Sequence, residues 1–530
     1  MRIPRGTTAL LGTLALLCAA SCGVRGKDQE QVLNRRLDGE PKTLNVLTAT
    51  SGPEWDVLSL LTRNLLDYDE KLNLIPGLAE SVEPDAGWLA FTVRLRDARW
   101  EDGSPVTSAD VAYTLEALMD PKTPSLSRRS FFESFEKVEI VDARTARVFF
   151  KTPYSGRRDA FSVPLLPAKE YKGTDINTNP RNRNPLANGP YRLARWDSGR
   201  SLELVRNTQY FGEKTPAERV VFRVVPESAS AFQGLLVGSL DETKLTFDQR
   251  KKLDADPNAL AASLIYPELG YTYIAWNNRS PLFSDPKIRV ALTKLIDREA
   301  IAKALYGGTA RPANGPVPPG LWSYDAALQP WPHDEAGAVA ALEAAGWKAG
   351  ADGVRVKDGK RFEFELTFGI GSDVQRQQSE LIQQAFRKAG IVATLRPMEW
   401  GAFLTKSDSG ELEASMLALN LDPNPDLAMN WHSTQVPPNG FNSGYYSNPK
   451  ADALMDEIRT TFDRAKAQTL YKELQRILHE DEPVTFLHVV AAKWGVAKRV
   501  ENVKASPMGL FIFWPGGSAW RVRSKGPAGG

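Results

Sequence analysis

The chain has 530 residues, 66 of them basic and 64 acidic, for a formal charge of +2. A balance so close to neutral argues against nucleic acid as a partner, because phosphate contacts need a basic surplus or a basic patch. The two cysteines, Cys18 and Cys22, both lie in the N-terminal stretch, which leaves the rest of the chain without a disulfide, a cysteine nucleophile or a cysteine-based metal site. The length suffices for two or three domains with well-packed cores.

The first residues read as a targeting segment. Arg2 and Arg5 precede an apolar run over 7–20, and Ala19, Ala20 and Ser21 lead into Cys22. The run is too short to span a bilayer. This arrangement resembles a bacterial lipoprotein signal, which implies cleavage after residue 21 and lipid on Cys22. Loss of residues 1–21 removes two arginines and no acid, so the mature chain is formally neutral. Residues 22–37 are polar without a clear period and read as a tether. No later stretch is apolar for long enough to cross a membrane.

Several elements are legible beyond the tether. Phe91, Val93 and Leu95 alternate with polar residues, which predicts a half-buried strand. Thr107 and Asp110 have capping-box spacing ahead of Val111, Leu115 and Leu118, which recur at helical spacing. Pro286 suits the first turn of a helix whose apolar stripe is Ile288, Leu292, Leu295 and Ile296. A further helix from about Asp297 stops at Gly307 and Gly308. Phe362, Phe364, Leu366 and Phe368 alternate as a strand, a helix with Leu381, Ile382, Ala385 and Phe386 follows, and 391–395 return as a strand. This order predicts a parallel crossover and an α/β class.

Motifs for catalysis are missing. His333, His432, His479 and His488 form no compact ligand motif, and there is no G-x-S-x-G elbow or phosphate-binding Walker loop. No enzyme activity, cofactor or metal is expected. Trp100 and Trp347 read as core anchors.

The run RWEDGSPVTSADVAYTLEAL from Arg99 resembles a signature of the peptide-type (family 5) extracellular solute-binding proteins that feed ABC transporters. Further blocks stand in the family's order: RNLLDYDEKLNLIPGLAES from Arg63, NPLANGPYRLARW from Asn184, VGSLDET from Val237, IRVALTKLIDREAIAKALYGG from Ile288 and LEAAGW from Leu342. The resemblance covers most of the mature chain. It implies two lobes that close on a cleft, with a first-lobe core made of 38–70, 188–270 and 495–530, an extra subdomain over 71–187, and a second lobe over 271–494. Chain crossings near 271–277 and 486–491 would form the hinge.

The resemblance also implies an extended peptide held by its backbone between the lobes, with a carboxylate pairing the ligand's α-amino group. In LALNLDPNPDLAMNWHS from Leu417, Asp422 is the first choice for that partner and Asp426 the second, while Asn420 is a neutral candidate for the position. The alternative for Asp422-Pro423-Asn424-Pro425 is a rigid turn. Trp400, Asn442, Tyr273, Thr50 and Trp55 fall in segments that would face the cleft. The dipeptide-binding branch often places an Arg shortly after the Glu matching Glu399, and here Trp400-Gly401-Ala402 follow. That departure argues against strict dipeptide specificity. The implied partners are a peptide or other small solute, ABC permease subunits and a membrane reached through the lipid anchor, for a monomer in the periplasm or cell envelope. Alternatives are a non-peptide solute (oligosaccharide, opine, metal chelate or haem) and a signalling-peptide receptor.

Overall fold

A computed structural model describes residues 31–125, 129 and 131–523; the signal segment and Cys22 lie outside the described residues. The first strand, Val32–Leu37, occupies positions read above as tether, and it pairs in parallel with Arg219–Val224. Its burial alternates strictly, with Leu33, Arg35 and Leu37 inward. The alternation was hidden because one inward residue is an arginine. Arg35 is tolerated there because Glu242 lies 3.3 Å from its Nε and the Phe511 ring 3.4 Å from its guanidinium carbon.

Val32–Leu37, Arg219–Val224, Ser201–Arg206 and Tyr191–Asp197 form a four-stranded sheet in that order. A second four-stranded sheet, Ala79–Pro84, Ala90–Leu95, Thr145–Phe150 and Phe135–Asp142, builds the extra subdomain. Phe91, Val93 and Leu95 point into the core, as their alternation predicts. The helix Ser108–Met119 opens with the expected capping box, and the Thr107 backbone N–H donates to Asp110 at 2.8 Å. Asp110 also accepts from the Ala168 backbone at 2.7 Å and from the Trp100 indole at 3.4 Å. The aspartate and tryptophan of the Arg99 signature are therefore joints of the scaffold. One continuous buried cluster, from Leu33 through Phe91 and Phe161 to Val522, runs through both sheets. The extra subdomain shares its core with the rest of the first lobe.

The second lobe is a mixed six-stranded sheet with Arg311–Pro312, Val484–Val489, Gly270–Trp276, Ala414–Asn420, Glu363–Gly369 and Val392–Met398 in order. Glu363–Gly369 and Val392–Met398 pair in parallel around the helix Asp373–Lys388, the predicted crossover. Pro286–Leu295 begins at its proline, capped by Asp285, and Arg298–Tyr306 ends at Gly307, whose φ of 60° suits glycine. Two separate buried clusters coat the two faces of this sheet. Trp347 is buried in one of them, and Trp100 in the first-lobe core.

Among the described residues the chain crosses between lobes twice, from strand Ala261–Pro267 into Gly270–Trp276 and from Val484–Val489 into Ala491–Ala497. Ala491–Ala497 pairs with Glu242–Lys244 and Ala261–Pro267. Residues 491–494 thus pair with strands that precede the first crossing, and the break between Ala261–Pro267 and Gly270–Trp276 falls at 268–269, close to the expected 271–277. Strand pairing decides both boundaries, and the apolar runs on either side look alike in sequence.

Candidate functional site

Glu363–Gly369 and Val392–Met398 end level at Gly369 and Met398, and the parallel strand Ala414–Asn420, which pairs Leu366 with Ala414 and Thr367 with Ser415, runs on past them to Asn420. A crevice outside the carboxyl ends of parallel strands is where open α/β sheets bind ligands. Gly270 sits opposite Asn420 at the first crossing, and the Leu421 N–H donates to the Leu269 carbonyl at 2.7 Å. A Cβ on residue 270 would lie 2.2 Å from the Asn420 side-chain oxygen, so glycine is needed for this approach. This close approach places the end of the strand Ala414–Asn420 against the first crossing between lobes.

The segment after Asn420 is anchored to the second lobe. Pro423 and Pro425 are buried, and the Tyr471 hydroxyl donates to the Pro425 carbonyl at 2.5 Å. Asp422 is exposed just before Pro423, and burial first, then Asp159 and Asp422, push up the hydroxyl pKa of Tyr68 of the first lobe. Asn424 donates to Asp159 at 3.0 Å, and Tyr68 donates to the other Asp159 oxygen at 2.6 Å. Burial pushes the Asp159 carboxyl up, against the pull of those two hydrogen bonds. Residues of both lobes thus converge beside Asp422.

Asp426 has different work. One of its oxygens lies 3.2 Å from Arg459 Nε and the other accepts from the Ala428 backbone at 3.0 Å. Its charge is thus matched within the second lobe by Arg459. Asn442 is 2 % exposed, and its amide donates to the carbonyls of His432 at 3.1 Å and Tyr446 at 2.8 Å, while its oxygen accepts from Tyr446 N–H at 3.0 Å. These bonds shape the 442–446 loop. Asn442 and Tyr273 line the same small cavity of about 10 Å³, which is on the scale of one water and not of a ligand side chain. Ser443 hydrogen-bonds the Tyr273 hydroxyl, whose pKa burial raises.

Trp400 opens the helix Trp400–Ser409 at the carboxyl end of the sheet, 53 % exposed and stacked on Phe403 at 5.2 Å. It neighbours Gly369 and the exposed Ile370. Glu399 caps this helix through Gly401 and Ala402 N–H at 2.8 and 3.2 Å, and those bonds hold its carboxyl below the usual range. On the first lobe, Thr50 is exposed at the start of the helix Gly52–Leu61, whose N-terminus is held by Glu54, and Trp55 packs half-buried on the first-lobe core. A separate cavity of about 620 Å³ lies between the helices Pro286–Leu295 and Glu335–Ala344, and none of the candidate ligand-binding residues lines it.

Tyr68, Asp159, Asn424 and Arg459 carry no spacing signal in the sequence. Asp159 and Asn424 are 265 positions apart, so only the fold brings them together. Among the described residues no group of three or more His, Cys, Asp and Glu side chains is placed to hold a metal.

With this geometry in hand, comparison with known proteins is decisive for the family. The family described as "Bacterial extracellular solute-binding proteins, family 5 Middle" matches residues 73–441. The chain belongs to this family. Family 5 proteins are solute-binding proteins, and the motif blocks from Arg63 to Leu342 are read as its scaffold. The chain is 29% identical over 484 residues to the "Oligopeptide-binding protein AppA" of Bacillus subtilis, covering 88% of each chain. It is 27% identical over 469 residues to the "Glutathione-binding protein GsiB" of Pectobacterium atrosepticum, covering 85% of this chain and 87% of that one. Among solved structures, Bacillus subtilis AppA in complex with a nonapeptide superposes with a TM-score of 0.80 at 27% identity, over 93% of this chain and 100% of that one. The two-lobed family 5 fold is thus shared along nearly the whole length.

Proposed function

We propose that this protein is the lipid-anchored substrate-binding component of an ABC importer, and that it captures peptides in the crevice between its lobes. The observation that carries the reading is the convergence of both lobes on Asp422, an exposed carboxylate at the carboxyl end of the second-lobe sheet. Similarity to an oligopeptide-binding and a glutathione-binding protein supports a peptide-like solute. In this reading, edges of the crevice hold the ligand backbone as an added strand would be held, and Asp422 pairs its α-ammonium. Trp400 and Ile370 offer apolar surface to side chains, and Asn420 lines the floor. The absence of an Arg after Glu399 leaves the far end open to ligands longer than a dipeptide. Closure is a population shift driven by contacts the ligand makes with both lobes. The closed form then docks on permease subunits, and the lipid on Cys22 keeps the monomer at the membrane of the cell envelope.

Native mass spectrometry of protein purified without Cys22 tests the reading. A ladder of co-purified masses resolving into short peptides is expected; a single non-peptide mass overturns it. Asp422→Asn is expected to weaken a co-purified peptide with a free amino terminus about tenfold, measured by isothermal titration. Its N-acetylated form should lose almost nothing. Equal losses for both forms would remove Asp422 from the amine-binding role.

A further inference from the structure

The two lobes touch away from the chain crossings, through the end of the helix Pro449–Arg459. Arg459 Nη2 lies 2.5 Å from Glu133 of the extra subdomain, and the guanidinium carbon is 5.1 Å from the Tyr154 ring. Its backbone is engaged as well. Ser155 N–H donates to the Arg459 carbonyl at 2.8 Å, and the Ser155 hydroxyl donates to the Ile458 carbonyl at 3.2 Å. Three residues on, Phe462 meets Trp88 with ring centroids 4.5 Å apart. Asp426, on the same lobe as Arg459, holds the guanidinium from the other side at 3.2 Å.

We infer that Arg459 is a closure latch. It is oriented within the second lobe by Asp426 and grips the extra subdomain, adding to the stability of the closed arrangement whether or not solute is bound. The inference rests on the reading that the lobes close over a solute. Its physical basis is direct. Because the extra subdomain shares one continuous core with the first lobe, separation of the lobes cannot carry it along with Arg459. No chain crossing joins the lobes here, so opening must break the ion pair, the two Ser155 hydrogen bonds and the aromatic contact together. Glu133 is 53 % exposed, which by itself makes the pair weak. Arg459 is 27 % exposed and sits between two carboxylates and a ring, an arrangement that holds its geometry better than an isolated surface pair. Differential contacts of this kind set the population of each conformer.

The test uses spin labels on cysteines replacing Lys172 in the subdomain and Lys303 in the second lobe, both exposed, with Cys22→Ser to remove the native thiol. Pulsed electron-electron resonance then reads the interlobe distance without any ligand being known. Arg459→Ala is expected to raise the ratio of open to closed molecules about tenfold over the parent. Glu133→Gln, a surface change that leaves folding intact, should shift it the same way by a smaller factor, and should add nothing on top of Arg459→Ala. A parent with two distance populations that neither variant shifts would overturn the latch and leave closure standing. One unchanging distance in all three proteins would overturn both the latch and the closure on which it rests.

Discussion

Arg298→Ala is expected to destabilise the second lobe by about 3–5 kcal/mol, the cost of breaking a buried charge network by removing one partner. Arg298 is 4% exposed at the start of its helix, and its guanidinium donates to the carbonyls of Phe486 at 2.5 Å, of Ala313 at 3.2 Å and of Trp331. These carbonyls come from three separate segments, so one side chain ties a central strand to two loops. Alanine would leave the acceptors without a donor in the interior, each costing about 1–3 kcal/mol where water cannot enter. It would also withdraw positive charge from Glu482, which burial pushes up to about 8 against the pull of Arg298. Denaturant unfolding should show a lower midpoint with an unchanged slope. A shift below 1 kcal/mol would mean that water or a neighbour satisfies those carbonyls.

The second large effect concerns acid. His488 is fully buried on the adjoining strand, and its Nε2 lies 2.7 Å from the Arg298 carbonyl while Nδ1 lies 3.1 Å from the Gln378 amide nitrogen. This pairing suits the neutral ring with the proton on Nε2. Burial lowers its pKa to about 4, helped by the nearby Arg298 charge. The unfolded chain takes up this proton near pH 6.5 and the folded one only near 4. Between those values the unfolded state binds more protons, so this group's contribution is present above about pH 6.5 and is lost as pH falls toward 4. The loss amounts to about 3 kcal/mol. It is read as the difference between the parent and His488→Gln across pH 7 to 4, because Glu482 acts with the opposite sign in the overlapping window and cancels in that difference. The parent should lose stability relative to the variant on acidification; parallel curves would show that His488 does not titrate in this range.

The scaffold was legible because its signals are local. The capping box at Thr107 and Asp110, the proline at 286, the stop at Gly307 and the strand–helix–strand run from Phe362 each depend on residues a few positions apart, and all four recur in the fold. The inward-facing Arg35 defeated the same reading, since a charge on the core side of a strand breaks the pattern that announces it. The partners of Ala491–Ala497 were hidden for a related reason: its pairing with Glu242–Lys244 and Ala261–Pro267 joins segments more than 200 positions apart.

The site divides in the same way. Sequence alone pointed to the Asp422–Asp426 segment and to the family whose members use such a crevice. It ranked Asp422 ahead of Asp426, but it could not find the Arg459 that matches the charge of Asp426 from 33 positions away. Nor could it find Asp159 beside Asn424, or Glu133 beside Arg459. Local propensity and spacing determine which elements form. Which charged and polar side chains meet across the fold depends on contacts that exist only once distant segments have packed together.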